Sequence, residues 1–369
     1  AGAAGLAAVW ASRGATSASA VQAEVAEAPC CVLEPPACDG SAAPARQDKS
    51  FLLRAAGTLA GVVSCGFFLV AWTAALAMPF VFVGACVMQQ WELVGGMVGL
   101  YALPHLLPLP RLGLGRGFVF WGFRSWLGEA NYEFLDLSRP AGAEPEAEPA
   151  PGAERKRLLC FHPHGIVSMG VFTLLNAKPE VRILSSPFLY HYAPIFRLAF
   201  ETVMGFKMGS VAPGDLHIYM NKGDSPLMMV PGGFHEATIT CAGKERVFLK
   251  NRRGFVKYAL RYGYDLVPIY ALGENDLIDN KQGGWSWRFW LNNLSLPAVA
   301  PWGHWLFPLF PRRGVRLVVA MGPPLEMPHI RNPTKEEVEF HHARYIEALQ
   351  AMYERIPQEG GQRRPLELW

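Results

Sequence analysis

Charged residues are scarce in this chain: 18% of the residues are Asp, Glu, Lys or Arg, and 51% are hydrophobic. A soluble domain usually carries about a quarter charged residues, so part of the apolar surface is expected to face something other than a protein core. The formal net charge is only +3, whereas a nucleic-acid binder usually carries a concentrated basic stripe. We therefore expect no nucleic-acid partner.

Paired cysteine motifs are also missing. None of the seven cysteines forms a Cys-x-x-Cys pair; Cys30, Cys31 and Cys38 lie near the N-terminus, and Cys65 and Cys86 lie in an apolar segment. An odd number without paired spacing indicates reduced thiols that face a cytosol-like compartment. It argues against a disulfide framework and against a zinc site.

Residues 1–50 lack any hydrophobic period and are rich in Ala, Pro and Ser. This composition predicts a disordered, low-complexity tail. A transit peptide is the alternative, but Glu24, Glu27, Glu34 and Asp39 argue against an acid-poor leader. The sequence leaves plastid targeting open.

The next segment, residues 51–110, is predicted to be a membrane hairpin. No charged residue occurs from Ala55 to Met88, a run longer than the roughly 20 residues that a helical span needs. A second charge-free run, from Leu93 to Leu109, follows the short polar break "QQWE". Two such runs with a short break return the chain to the side on which it entered. The alternative is a pair of buried helices in a soluble core.

Residues 111–157 join this hairpin to the rest of the chain. In 111–137, Arg111, Arg116 and Arg124 stand among many aromatic residues, which is typical of a membrane interface or of an ordinary amphipathic helix. Residues 139–157 form a polar linker rich in Pro, Ala and Glu. A Trp-rich, proline-broken stretch further on, 283–310, suits the headgroup level of a bilayer; a packed loop over the core is the alternative.

From Leu158 onward, short apolar runs alternate with helical stretches. The runs at 158–161, 181–186, 226–233, 265–273 and 315–322 predict buried strands. This alternation predicts an α/β domain with a mostly parallel sheet over residues 158–357. Thr334 and Glu337 form a capping box for its last helix, and residues 358–369 are left as a C-terminal tail.

The stretch "LLCFHPHGIVSMG" sets His162 and His164 directly after a predicted strand. Because chemistry gathers at the carboxyl ends of parallel strands, three interpretations stand open. The histidines are hydrogen-bonded turn residues, or they ligate a metal ion together with further side chains. In the third, an imidazole is the general base that takes a proton from an alcohol.

A second motif, "PGGFHEA", also follows an apolar strand. Pro231, Gly232 and Gly233 form a turn whose N–H groups can approach an oxyanion closely. Glu236 can hold an imidazole in the tautomer that a general base requires. Alternatively, the glycines are a simple tight turn and Glu236 is solvated.

The third motif is "KNRRGFVKYAL". Arg252, Arg253 and Lys257 stand with Gly254 at the start of a predicted helix. Basic side chains beside a helix N-terminus suit a phosphate-bearing ligand such as coenzyme A. The alternative is a solvated basic helix start.

Four blocks together resemble the type-2 diacylglycerol acyltransferase family, which includes monoacylglycerol and wax-alcohol acyltransferases. They are "FHPHGIVSMG", "VPGGFHEA", "FLKNRRGFVKYALRYGYDLVPIYALGEND" and "VVAMGPPLEMPHIRNPTKEEVEFHHARYIEAL". They follow the family's order and cover most of residues 158–350, and the upstream apolar hairpin is similar to the family's membrane anchor.

The resemblance implies a core like that of glycerolipid acyltransferases, in which a His-x-x-x-x-Asp motif supplies the base and its orienting acid. Here the fifth residue after His162 is Val167 and the fifth after His164 is Met169. No acid is local, so the orienting carboxylate is expected from elsewhere, and Glu236 is the candidate.

We therefore expect an acyl-CoA-dependent O-acyltransferase that acylates diacylglycerol to triacylglycerol, with His164 as general base and His162 assisting it. Gly165, Pro231, Gly232, Gly233, Arg252, Arg253, Gly254 and Lys257 are the expected substrate-binding residues. We expect no metal and no cofactor beyond acyl-CoA as co-substrate.

The resemblance implies the endoplasmic reticulum membrane or the lipid-droplet surface, with both hairpin ends cytosolic. The acceptor stays open among diacylglycerol, monoacylglycerol and long-chain alcohols, as does a homo-oligomeric state. The rival functions are an inert lipid-droplet protein and a metal-dependent lipid hydrolase.

Overall fold

The computed structural model of this protein describes residues 45–138, 155–294, 296–358 and 363–369. Contacts group Gln47–Trp369 into one unit. The predicted disordered tail and the core of the proline-rich linker, 139–154, lie almost wholly outside the described residues.

The helices vary widely in length, from a single turn to more than forty residues. They are α1 (Ala45–Val87), α2 (Trp91–Leu106), α3 (Arg116–Leu127), α4 (Gly170–Ala177), α5 (Pro194–Arg197), α6 (Pro213–Lys222), α7 (Gly233–Ile239), α8 (Gly254–Tyr262), α9 (Glu274–Leu277), α10 (Trp285–Asn293) and α11 (Lys335–Arg355).

The strands are short, as is usual for a buried sheet. They are β1 (Tyr132–Asp136), β2 (Arg157–His162), β3 (Arg182–Ser185), β4 (Lys207–Ser210), β5 (Leu227–Met229), β6 (Glu245–Val247), β7 (Asp265–Leu272), β8 (Asp279–Asn280), β9 (Pro301–Trp302), β10 (Leu317–Met321) and β11 (Leu366–Leu368).

The central sheet has seven strands in the order β1-β10-β7-β2-β5-β3-β4. Its pairs are parallel except for β10 with β7. All five predicted strands are present in it, so the prediction of an α/β fold with a mostly parallel sheet is confirmed. The parallel pairing of β2 with β5 and β7 places the carboxyl ends of these three strands at one edge.

Side chains alternate between the two faces of the sheet. Along β2, Leu159 and Phe161 belong to the cluster that packs against α1, α3 and α4. Leu158 and Cys160 belong to the cluster on the opposite face, which contains α8 and α11. This period of two is the geometry of a strand buried on both sides, and each such side chain contributes about 1.5–3 kcal/mol of transfer free energy.

The first helix is the one described helix that is long and apolar enough to cross a membrane, by length and composition alone, over Leu53–Val87. Part of it packs on the domain, since Cys65, Phe68 and Ala75 are buried. The following helix, α2, has 16 residues, and at about 1.5 Å per residue it is shorter than the roughly 30 Å hydrocarbon core. The predicted hairpin of two spans is therefore not shown.

The segment 111–137 differs from a purely interfacial stretch. Helix α3 buries one face, including Phe123 and Trp126, as the amphipathic-helix alternative predicted. Strand β1 then pairs with β10 at the edge of the sheet. The sheet therefore begins before the linker and not at residue 158.

The prediction for the last helix agrees with the structure, whereas the prediction of a C-terminal tail does not. Thr334 and Glu337 form the predicted capping box of α11, so that prediction is confirmed. The expected tail, 358–369, instead contributes β11, which pairs with β6 in parallel. The carbonyl of Trp369 also accepts the N–H groups of Leu249 and Lys250.

Candidate active site

Three loops meet at the carboxyl edge formed by β2, β5 and β7. The first follows His162 at the end of β2 and carries His164, the second leads through Gly232 to Glu236 on α7, and the third leads to Glu274 at the start of α9. Within this edge, His162 on β2 is level with Tyr270 on β7. The sheet thus brings together two of the predicted motifs, which are about 70 residues apart in sequence.

The ring of His162 is completely buried. Its Nδ1 lies 3.4 Å from Oε1 of Glu236, and its Nε2 lies 3.2 Å from the hydroxyl of Tyr345 on α11. Both ring nitrogens therefore have protein partners, as a buried polar group requires. His162 belongs to an internal network and is not placed to meet a substrate.

The ring of His164 lines a cavity. Its Nδ1 lies 2.9 Å from the carbonyl oxygen of Gly165, so Nδ1–H is the donor and Nε2 keeps its lone pair. Burial lowers the pKa of His164, while the Gly165 hydrogen bond and the charge of Glu236 oppose that shift. A neutral imidazole with a free Nε2 is the form that can act as a general base.

The carboxylate of Glu236 holds the loop that carries His164. It is buried, and it accepts the main-chain N–H of His164 at 3.0 Å and that of Phe248 at 2.9 Å. A Cβ on Gly232 would lie 2.4 Å from Cδ of Glu236. Gly232 therefore leaves the space that this carboxylate occupies.

The prediction that Glu236 orients the ring of His164 needs correction. Glu236 contacts the main chain of His164 and the ring of His162, while the carbonyl of Gly165 fixes the tautomer of His164. The reason is geometric: the turn at Gly165 brings its own carbonyl within reach of Nδ1. The carboxylate oxygens are in turn occupied by main-chain donors.

Glu274 is a site residue that the sequence did not single out. Its buried carboxylate accepts the N–H groups of Met169 at 2.8 Å and Gly170 at 2.6 Å, at the start of α4. Burial raises its pKa to about 8. The available signal was a carboxylate directly after an apolar strand, in the block "GEND".

Gly165, predicted to bind substrate, has a steric role in the structure. Its φ of +58° favours glycine, and a Cβ would lie 2.6 Å from Oε1 of Glu274. The loop after His164 can therefore pack directly on the buried Glu274 carboxylate.

The cavity beside His164 has a volume of about 360 Å³, within the range of small-molecule sites. His164 and Gly233 lie in its wall, and most of its surface is apolar. Its aromatic lining residues are Trp72, Phe172, Phe188, Phe196, Phe200, Phe206 and Phe234. A candidate base thus stands at a cavity that suits a hydrocarbon chain.

Comparison with known proteins places this arrangement in a family. The family model described as diacylglycerol acyltransferase matches residues 149–367, more than half of the chain. The chain belongs to the diacylglycerol acyltransferase family. The resemblance identified from the four sequence blocks is confirmed.

Individual relatives agree. The chain is 30% identical over 224 residues to Diacylglycerol O-acyltransferase 2 of Dictyostelium discoideum, covering 55% of this chain and 66% of that protein. It is 32% identical over 227 residues to human 2-acylglycerol O-acyltransferase 3, covering 54% of this chain and 64% of that protein. The match therefore spans just under two thirds of the length of these relatives.

One solved structure is also similar, the crystal structure of a 1-acyl-sn-glycerophosphate acyltransferase from Thermotoga maritima. The likeness covers 82% of this chain and 99% of that chain, with 11% identity and a TM-score of 0.39.

The three cations predicted to bind phosphate lie in different surroundings. Arg252 is half-buried, hydrogen-bonds Nδ1 of His235 and lies over the ring of Phe248. Arg253 lies 3.4 Å from Glu339 on α11. Lys257 is exposed on α8, which begins at Gly254. The structure therefore brings Arg252 to the motif that contains Glu236, but it does not gather the three cations around one point.

A cysteine nucleophile and a metal centre are two other chemistries to be considered at this site. Burial raises the pKa of both Cys160 and Cys241, which disfavours the thiolate that a nucleophile requires. Within the part of the chain that the structure describes, no group of three or more His, Cys, Asp or Glu residues is arranged to hold a metal ion. His162 and His164 instead have separate protein partners.

The Trp-rich segment adjoins this site through α10. Asn293 of α10 hydrogen-bonds His235, and Asn292 hydrogen-bonds Thr238, so α10 is fastened to α7. On its other side, Trp287 and Trp290 are each 60% exposed. The helix therefore joins the Glu236 motif to an exposed aromatic surface.

Proposed function

We propose that this protein is an acyl-CoA-dependent O-acyltransferase that acylates diacylglycerol to triacylglycerol. The proposal rests on His164. This residue lines an apolar cavity, and its Nε2 has a free lone pair because Nδ1 is hydrogen-bonded to Gly165. Family membership supports the reaction class, and the name of the relative from Dictyostelium discoideum supports diacylglycerol as acceptor.

The chemical step begins with Nε2 of His164. It takes the proton of the acceptor hydroxyl while that oxygen attacks the thioester carbonyl carbon. The new C–O bond forms, the C–S bond then breaks, and the imidazolium returns its proton to the departing coenzyme A sulfur. The charge of Glu236 favours the imidazolium, and the N–H groups of Gly232 and Gly233 would stabilise the developing oxyanion.

The acyl chain occupies the aromatic cavity, and the cations bind the coenzyme A phosphates. Of the three, Arg252 is the one in contact with the motif that contains Glu236, because it hydrogen-bonds His235. Arg253 and Lys257 are exposed at the start of α8 and suit more distant phosphates. Acyl-CoA enters as a co-substrate.

The apolar surface supports a membrane location. Large hydrophobic side chains are exposed on α1 after residue 75, on α2 and on α10. Trp302 and Trp305 extend this surface beyond α10, at 64% and 80% exposure. We place the protein at the endoplasmic reticulum membrane or the lipid-droplet surface, with the Trp-rich segment at headgroup level and the catalytic domain on the cytosolic side.

Monoacylglycerol is the second candidate acceptor. The observation that favours it is the name of two relatives, human 2-acylglycerol O-acyltransferases 3 and 1. Both acceptors present a free hydroxyl on an apolar body, and the same base serves either.

The test is acyl transfer from labelled acyl-CoA by the purified full chain, offered diacylglycerol, monoacylglycerol and a long-chain alcohol in parallel. Labelled triacylglycerol as main product, resistant to chelators and lost in His164→Ala, is the expected result. Release of free fatty acid that requires added metal would contradict the proposal in favour of a hydrolase. No turnover of any acceptor by folded protein would favour an inert droplet protein.

A further inference from the structure

A second cavity lies at the opposite end of the sheet from the histidines. It is open to solvent, has a volume of about 640 Å³ and is lined mainly by polar side chains. Its basic lining residues are Lys156, Arg261, Arg331, His217 and His329. Tyr262, Asn221 and Asn332 add further hydrogen-bonding groups.

The cavity carries a net positive charge. Lys156, Arg261 and Arg331 contribute three permanent cations, and no carboxylate is among its described lining residues. Two nearby carboxylates are already paired: Asp224 lies 3.2 Å from Arg182, and Asp265 lies 2.6 Å from Arg155.

Two helix ends offset this charge only in part. Helices α6 and α8 both end beside the cavity, and each carboxyl terminus is equivalent to roughly −0.5 charge. About two positive charges therefore remain.

Arg261 is a half-buried cation in the wall of this cavity. Its Nε is buried and makes no hydrogen bond to the described residues. By contrast, the buried Arg197 forms two hydrogen bonds to Glu201. A buried donor without a protein partner is uncommon in folded proteins, and this one belongs to a residue that lines the cavity.

The position of this cavity separates it from the proposed chemistry. Lys156 directly precedes β2, and His162 ends the same strand. Six residues at about 3.3 Å each place the two ends roughly 20 Å apart. The cavity is therefore not a part of the acyl site.

We propose that this cavity, the Arg261 site, binds a phosphate-bearing ligand. A phosphomonoester carries about −1.5 to −2 charge near neutral pH, which matches the remaining positive charge, whereas a single carboxylate does not. Arginine forks donate paired hydrogen bonds to phosphate oxygens. The volume leaves room for the group that carries the phosphate, which is either a lipid headgroup or a soluble phosphorylated molecule.

The experiment measures binding and needs no acyl transfer. Pyrophosphate held by the proposed coenzyme A cations would be insensitive to substitutions in this cavity, so the cavity variants distinguish the two sites. Inorganic pyrophosphate is titrated calorimetrically into the full chain in neutral detergent. In a second arm, retention of labelled phosphatidic acid by the same protein is compared with that of phosphatidylcholine. Arg261→Gln and the exposed Arg331→Gln are tested in both arms, with Lys335→Gln as the charge-matched control outside the cavity.

We expect Arg261→Gln and Arg331→Gln each to weaken binding about tenfold or more, the loss expected for one charge-assisted hydrogen bond, with no change in Lys335→Gln. Loss of pyrophosphate binding identifies a soluble ligand; an effect on phosphatidic acid alone identifies a headgroup. If the folded wild-type protein binds neither probe, if Arg261→Gln and Arg331→Gln bind as tightly as the wild type, or if Lys335→Gln weakens binding equally, the Arg261 site does not exist.

Discussion

The carboxylate of Glu236 accepts the main-chain N–H of His164 at 3.0 Å and leaves the ring of that histidine to the carbonyl of Gly165. The acid thus places the loop, and the loop places the base. In a triad, by contrast, the acid contacts the imidazole itself. Substitution of His164 should therefore affect mainly activity, and substitution of Glu236 mainly stability.

Replacing His164 should remove the chemistry and spare the fold. His164→Ala is expected to lower kcat by about 10²–10⁴-fold, the usual contribution of a general base. His164 is half-buried and lines the cavity, so the melting temperature of the His164→Ala protein should stay close to that of the wild type. Acyl transfer and thermal unfolding, measured on one preparation, check both statements.

His162 provides the matched comparison. Its ring is fully buried between Glu236 and Tyr345, so His162→Ala leaves a cavity and unpaired polar groups, at a cost of about 2–5 kcal/mol. We expect a clear fall in melting temperature. A fully stable His162→Ala protein that lacks activity would instead assign the base to His162.

Removing the Glu236 carboxylate should act mainly on stability. Glu236→Ala leaves the N–H groups of His164 and Phe248 without their acceptor, and each unsatisfied buried donor costs about 1–3 kcal/mol. Activity should fall because the loop is no longer fixed, and the acidic limb of the pH profile should move to lower pH because the Glu236 charge no longer raises the pKa of His164. Chemical denaturation and a pH–rate profile measure the two effects; unaltered stability would show that Glu236 does not hold the loop.

Gly165 should not tolerate a side chain. Gly165→Ala meets both the cost of a positive φ, about 1–2 kcal/mol for a left-handed alanine, and a collision with Glu274. Gly243→Ala is the control, because Gly243 also has a positive φ but has open space around its Cβ position. We expect Gly243→Ala to show the backbone cost alone and Gly165→Ala to be clearly worse. Equal losses in the two variants would show that the loop moves away from Glu274.

Glu274 should make stability depend on pH. Its folded-state pKa of about 8 lies above its usual value of 4.5, so the folded protein binds more protons than the unfolded chain between these limits. Its contribution to the free energy of unfolding therefore decreases as pH rises from about 5 to 8.

Glu274→Gln should remove this decrease and flatten the melting temperature over that pH range. Glu245, whose pKa burial raises to about 7, offers a comparison in Glu245→Gln. The contribution of Glu245 to the free energy of unfolding also decreases as pH rises, but over the narrower range from about 5 to 7. An unchanged slope in Glu274→Gln would mean that the carboxylate is ionised in the folded protein.

The exposed tryptophans of α10 should matter only when the acceptor is presented in a bilayer. The double variant Trp287→Ala/Trp290→Ala removes two indoles that are each 60% exposed, so stability should change little. We expect activity on vesicle-borne diacylglycerol to fall several-fold and activity on a dispersed short-chain acceptor to be retained, because indoles favour the membrane interface. Equal losses on both acceptors would point to a packing role.

The sheet could be predicted wherever its strands are continuous apolar runs. The run at 265–273 is buried on both faces and was recognisable for that reason. Strands β1 and β4 were missed because "YEFLD" alternates acidic and apolar residues at the sheet edge and "KMGS" is too short to show a period. Both segments are strands because of their position at the edge of the sheet, which depends on the rest of the fold and not on their own sequence.

The candidate site was predictable as a set of residues but not as a set of contacts. His162, His164 and Glu236 were identified because each follows an apolar strand. Which ring meets the carboxylate depends on the path of the turn at Gly165, and no residue spacing encodes that path. The role of Glu274 escaped for a similar reason, since its partners are main-chain N–H groups at the start of α4.

Trp72 of α1 lines the cavity beside His164, and Phe68 of the same helix packs 4.4 Å from the ring of Phe172. Deleting the apolar helix α1 to obtain a protein that needs no detergent would therefore remove one wall of the cavity beside His164. Side chains of the helix that is long and apolar enough to cross a membrane thus also line the candidate site. If α1 lies in a bilayer, a hydrocarbon tail reaches the cavity along this helix without crossing water.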